Sequence, residues 1–132
     1  MCIRDSLIAQ RLTSTPGSSR AFRGGVITYA TEVKSSVLGV PDGPSVSEEM
    51  VEAMALGVCD RLGADVSVAT TGVAGPDSWE GIPPGTVWIA TCVDGVVEAR
   101  LLRYKTDRVR IQNYTTITVL NALRQRLEMR ST

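Results

Sequence analysis

Apolar residues recur along this chain at two spacings, every third or fourth position in some stretches and in β-branched runs in others, with Gly and Pro at the changes between them. Leu7, Ile8 and Leu12 read as a helix over residues 7–12 that stops at Pro16-Gly17. Ser18 and Ser19 are suited to cap a short helical turn toward Phe22. Val26-Ile27-Thr28-Tyr29, led by Gly24-Gly25, reads as a buried strand. Thr31 is the expected N-cap of a short helix that carries Lys34 and ends at Gly39. Ser47 caps the next helix, whose apolar face is Val51, Met54, Ala55, Val58 and Leu62, and Gly63 closes it. Val66 to Thr70 is a strand running into Thr71-Gly72-Val73-Ala74-Gly75-Pro76. After an irregular loop over 77–84, residues 86–93 and 96–104 flank Asp94-Gly95, the strongest hairpin signal in the chain. A long final helix covers 107–128, although Thr115 to Val119 is a poor helix former that packing must hold in place.

Helices interleaved with strands predict an α/β fold: a three-layer α/β/α sandwich whose sheet is mixed and includes a C-terminal β-hairpin. At 132 residues the chain is one domain with room for a continuous core. Fourteen basic residues balance fourteen acidic ones, so no global field draws it to nucleic acid or to an anionic membrane. No apolar run nears the roughly 18 residues of a span, and no signal-peptide pattern opens the chain. The three cysteines (Cys2, Cys59, Cys92) are widely spaced without C-x-x-C, which argues against a disulfide framework or a thiolate zinc site and for a reducing cytoplasm.

The absence of histidine narrows the chemistry most. Ser-His-Asp and Cys-His pairings are excluded, as are metal sites built on imidazole. A base here must be a carboxylate, a lysine, a tyrosine or a water. Three strand-to-helix regions stand out. The first joins Tyr29 to Lys34, where a desolvated amine is a competent base; the plainer alternative is a lysine that snorkels to solvent and a tyrosine that packs. The second is the turn from Thr71 to Pro76, whose glycines let backbone amides approach an anion or a carbonyl oxygen, or serve turn geometry alone. The third joins Pro16-Gly17-Ser18-Ser19 to Phe22 and Gly24-Gly25. Arg103, Lys105, Arg108 and Arg110 gather where the hairpin meets the last helix, and one of them near a helix start suits a phosphate.

These pieces occur in a known order. The stretches Leu-Ile-Ala-x-Arg-Leu-Thr (7–13), Pro-Gly-Ser-Ser (16–19), Phe-x-Gly-Gly-Val-x-x-Tyr (22–29), Lys34, Leu-Gly-Val (38–40), Val-Ser-Glu-Glu (46–49), Met-Ala-x-Gly (54–57), Ala-Thr-Thr-Gly-Val-Ala-Gly-Pro (69–76), Pro-Gly-Thr-Val-Trp (84–88) and Asp-Arg (107–108) resemble the C-terminal domain of the competence/damage-inducible protein CinA, also found as the stand-alone enzyme PncC. The resemblance implies a cytoplasmic amidase that hydrolyses the carboxamide of nicotinamide mononucleotide to nicotinate mononucleotide and ammonia. It implies a serine–lysine mechanism with neither metal nor organic cofactor. Lys34 matches the family's lysine, Tyr29 the tyrosine beside it and Ser19 a serine that supports the dyad. Thr71, Gly72, Ala74 and Gly75 match the site loop, and Arg108 an arginine near the nucleotide. Family members tend to form homodimers, and no nucleic-acid or membrane partner is implied.

The departure lies at the start. The family sets its nucleophile in Glu-Ser-x-Thr-Gly-Gly directly ahead of the Leu-Ile-Ala stretch, where this chain has residues 1–6, with Cys2 in the serine's place. The expectation is a non-native start over 1–6 and a single amidase-like domain over 7–132 that lacks its first strand and nucleophile motif and is inactive without them. The alternatives are a non-catalytic domain that binds a nucleotide or a partner, and a structural domain that pairs with itself. Gln112 stands where many family members carry an arginine.

Overall fold

The computed structural model describes residues 2–130, and for 2–6 the backbone alone, so the Cys2 thiol lies outside the described residues. Helix α1 (Cys2–Thr13) is followed by a single 3-10 turn, Ser18–Arg20, and by helices α2 (Thr31–Leu38) and α3 (Glu48–Leu62). Strands β1 (Val66–Gly72), β2 (Thr86–Val93) and β3 (Val96–Arg103) precede helix α4 (Arg108–Arg130). The order of strands across the sheet is β1-β2-β3.

Both pairings are antiparallel, which corrects the expected mixed sheet. The cause is the segment around residues 26–29. Its side chains alternate as a strand's do, with Thr28 buried and Ile27 and Tyr29 exposed, but among the described residues it forms no ladder with any strand. Periodicity reports which way side chains face, whereas a strand also needs a neighbour to take its N–H and C=O groups. The hairpin is as expected: Asp94 and Gly95 both have positive φ (51° and 84°), the primed turn that matches strand twist.

Three layers follow from the pleat. Val87 and Ile89 of β2 face α4 and α1, in a core with Ile8, Ile111 and Val119. Ala90 and Cys92 face α3, in a second core with Val51, Met54 and Ala55, and with Leu38 from α2. Cross-strand register lines up Ala69, Ala90 and Ala99 in one row under α3, so small side chains let that helix approach the sheet. Helix α2 lies close against α3: a Cβ at Gly57 would collide with the Leu38 carbonyl oxygen.

Caps explain the helix ends. Ser47 accepts from the Met50 amide at 3.2 Å with Glu48 and Glu49 in the first turn, and Gly63 closes α3 in the left-handed region. Two expected caps are corrected. Ala30, not Thr31, is the N-cap of α2: Thr31 is already its first helical residue, and its hydroxyl meets that of Ser45. Ser18 and Ser19 lie inside the 3-10 turn, whose N-cap is Gly17. Helix α1 also begins earlier than its apolar pattern, at Cys2. In α4 the β-branched run is held as expected: Thr115 and Thr116 are buried and their hydroxyls donate to the carbonyls of Ile111 and Gln112.

Candidate functional site

Lys34 is the fourth residue of α2. Four positions on stands Leu38, and both face inward, so the amine occupies a place on the helix that an apolar side chain would ordinarily fill. Only 3% of Lys34 is exposed. It lines a cleft of about 250 Å³ whose other walls are the end of β1, the turn after it and the start of α4.

The turn is a second hairpin. At its base Val73 donates to Thr86 O at 2.9 Å and Gly85 donates to Val73 O at 2.7 Å. At its tip Trp79 and Ile82 exchange backbone hydrogen bonds of 3.0 and 2.8 Å across Glu80 and Gly81, both at positive φ. The loop from Thr71 to Trp79 is therefore tied at both ends. Two glycines are required by space. A Cβ on Gly72 would lie 2.7 Å from Thr86 O and 2.9 Å from Val87 Cα, and one on Gly75, at φ 88°, would lie 2.9 Å from Pro84 Cβ.

Ser45 joins the two walls. Its carbonyl accepts from Thr71 Oγ1 at 2.6 Å, and its hydroxyl meets the Thr31 hydroxyl at 3.1 Å. The end of β1 and the first turn of α2 are thus fastened to one buried residue. From the third side Arg108 Nη1 donates to Gly75 O at 3.0 Å, which fixes a guanidinium at the rim. Asp107 caps α4 by accepting from the Arg110 amide at 2.9 Å, and so sets the direction in which Arg108 leaves the helix.

Seven of the residues singled out from sequence meet in this cleft: Tyr29, Lys34, Thr71, Gly72, Ala74, Gly75 and Arg108. Tyr29 is exposed at the rim rather than packed. Ser19 is not brought there. It is exposed and lines a separate, larger groove of about 1040 Å³ along β1, bounded by residues such as Leu12, Phe22, Val68 and Leu127. Of the basic cluster, Arg108 alone lines the cleft. Gln112 does not line it; the residue is buried and its Nε2 has no hydrogen-bond partner among the described residues. Sequence reasoning missed Ser45, because a serine in a loop carries no pattern. It also missed Trp79, which stands half-exposed on the cleft wall, an unusual place for so large an apolar ring. Among the described residues no cluster of three His, Cys, Asp or Glu side chains is arranged to hold a metal, and no helix is long and apolar enough to cross a membrane.

Comparison with known proteins adds a family. The profile of the CinA C-terminal domain matches residues 6–127. A CinA-like protein of Frankia casuarinae is 47% identical over 131 residues, covering 95% of this chain and 30% of its own length. A CinA-like protein of Geobacter metallireducens is 40% identical, covering 92% of this chain and 31% of its own length. The chain thus spans about a third of the curated relatives it matches. Among solved structures, a CinA superfamily protein of Klebsiella pneumoniae superposes with a TM-score of 0.91 at 30% identity, covering 96% of this chain and 82% of that one. The competence/damage-inducible protein CihA of Agrobacterium tumefaciens gives 0.85 at 35% identity, covering 92% and 78%.

Proposed function

This chain belongs to the CinA C-terminal domain family, and we propose that its cleft is the site of a nicotinamide-nucleotide amidase. The reaction is hydrolysis of the carboxamide of nicotinamide mononucleotide to nicotinate mononucleotide and ammonia. One observation carries the reading: an amine, Lys34, is buried on the wall of a cleft that also presents a glycine turn and an arginine. No aliphatic core needs a lysine at that position of α2.

In this reading a serine Oγ attacks the carboxamide carbon while Lys34, as neutral amine, takes its proton. The proton then passes to the departing nitrogen, ammonia leaves, and water cleaves the acyl-enzyme. Backbone amides of the Ala74–Gly75 turn would polarise the carbonyl oxygen as charge develops on it. Thr71 and Gly72 set the height of that turn, and Tyr29 borders the amine. An arginine has five N–H donors; Arg108 gives one to Gly75 O, and the reading assigns others to the phosphate. Ser19 has no part in this arrangement. The nucleophile's motif, Glu-Ser-x-Thr-Gly-Gly, does not occur in residues 1–6.

The test is ammonia release from nicotinamide mononucleotide. This chain should release none. A version in which residues 1–6 are replaced by a strand ending in Glu-Ser-x-Thr-Gly-Gly should be active, and Lys34→Ala in that version should lower kcat by roughly 10²–10⁴-fold. Turnover that survives Lys34→Ala would overturn the reading, as would saturable binding without product in the restored protein.

A further inference from the structure

Outside the cleft, the described residues bring two cysteines together from distant parts of the sequence. In the β1–β2 ladder Ser67 is the direct partner of Cys92, so the two side chains share the face of the sheet under α3. Ser67 Oγ donates to the carbonyl of Ala55 at 2.7 Å, which fixes where α3 crosses that pair. Cys59 is one helical turn beyond Ala55 on the same side of α3. Cys92 is buried in the core between α3 and the sheet, and half-buried Cys59 packs against that core. Both cysteines thus belong to the one apolar layer between α3 and the sheet.

We propose that Cys59 and Cys92 are a redox dithiol that closes to an intrachain disulfide, clamping the C-terminal half of α3 to β2. The residues enclosed, 59–92, include all of β1 and the Thr71–Trp79 wall of the cleft, so the bond restrains the segment that shapes the site.

The chemistry uses a small-molecule disulfide as oxidant. Cys59, the more accessible thiol, loses its proton and attacks one sulfur of the oxidant; that S–S bond breaks and one small thiolate leaves. Cys92 then loses its proton to solvent and attacks Cys59 Sγ, expelling the second small thiolate. The protein gives up two protons and two electrons, and the oxidant becomes two thiols. Burial, the first cause, and the neighbouring Cys59 push the Cys92 thiol up, outweighing a backbone hydrogen bond from Gly95 and the Arg126 guanidinium, which pull it down. A raised thiol holds its proton at neutral pH, so closure of the mixed disulfide quickens as pH rises.

The experiment uses the full chain in a Cys2→Ser background, exposed to oxidised glutathione and followed by mass, by thiol titration and by thermal unfolding. The expected result is loss of both thiols with a mass lower by two hydrogens, a peptide cross-link between positions 59 and 92, and a melting temperature higher by about 5–10 °C that reverts with a reducing thiol. Closure should be faster at pH 9 than at pH 7. Cys59→Ser, which alters a half-buried position with little effect on the core, should fold and show neither cross-link nor shift. A glutathione adduct on Cys59 that persists in the folded protein would overturn the proposal. So would a cross-link that leaves the melting temperature unchanged or lowers it. Neither readout involves the amidase reaction, so failure of this proposal and failure of that reading are separate results.

Discussion

The cleft beside Lys34 and the groove along β1 differ in construction more than in size. The cleft is small and its outline is drawn by hydrogen bonds to backbone carbonyls: Val73 N–H to Thr86 O, Gly85 N–H to Val73 O, Thr71 Oγ1 to Ser45 O and Arg108 Nη1 to Gly75 O. The groove is about four times larger and is bounded mostly by apolar side chains and by the extended segment around residues 22–27, which joins no ladder. A wall fixed by directional bonds holds a side chain to a fraction of an ångström, which chemistry requires. Apolar contacts hold a shape less specifically. The seven residues picked out from sequence lie in the smaller space, and Ser19 lies in the larger.

Substitutions sharpen this contrast. The largest effect is expected at Gly72, where alanine must push Thr86 and Val87 of the central strand aside. Gly72→Ala should cost roughly 2–4 kcal/mol in urea unfolding, against no more than about 0.5 kcal/mol for Ser19→Ala in the groove. Equal costs would remove the distinction between the two walls. Next comes Arg108. Its loss should weaken binding of nicotinamide mononucleotide by about tenfold, as expected for a charge-assisted hydrogen bond, with stability little changed. Quenching of Trp79 fluorescence should report that binding, with Trp79→Phe to assign the signal against Trp88. The smallest effect belongs to neither wall. Gln112→Leu should raise stability by about 1 kcal/mol in the same unfolding assay, because it removes a buried amide whose Nε2 finds no partner among the described residues.

Much of this was legible in the residues. The caps at Ser47 and Gly63, the Asp94-Gly95 turn and the apolar face of α3 are local signals, and each appears where its chemistry put it. The buried strand expected over 26–29 was not local. Whether an alternating segment becomes a strand is decided by what lies next to it, and a pattern within one segment carries no record of its neighbours. The cleft divides in the same way. Lys34 and the Thr71–Gly75 turn were visible as unusual residue types at the ends of elements. Ser45 was not, since its work is done by one carbonyl and one hydroxyl in a loop, and Trp79 was not, since an aromatic residue far from any helix or strand pattern has no predicted direction.

The row of Ala69, Ala90 and Ala99 has a consequence for the amine of Lys34. Those three methyl groups set the height at which α3 rides over the sheet, and α2 is stacked on α3 where Gly57 meets Leu38. The elevation of Lys34 above the strand is therefore the sum of two spacers, each only one or no carbon thick. A methyl group or two added under α3 would tilt the whole stack and carry the nitrogen away from the turn, although every residue around it stayed the same.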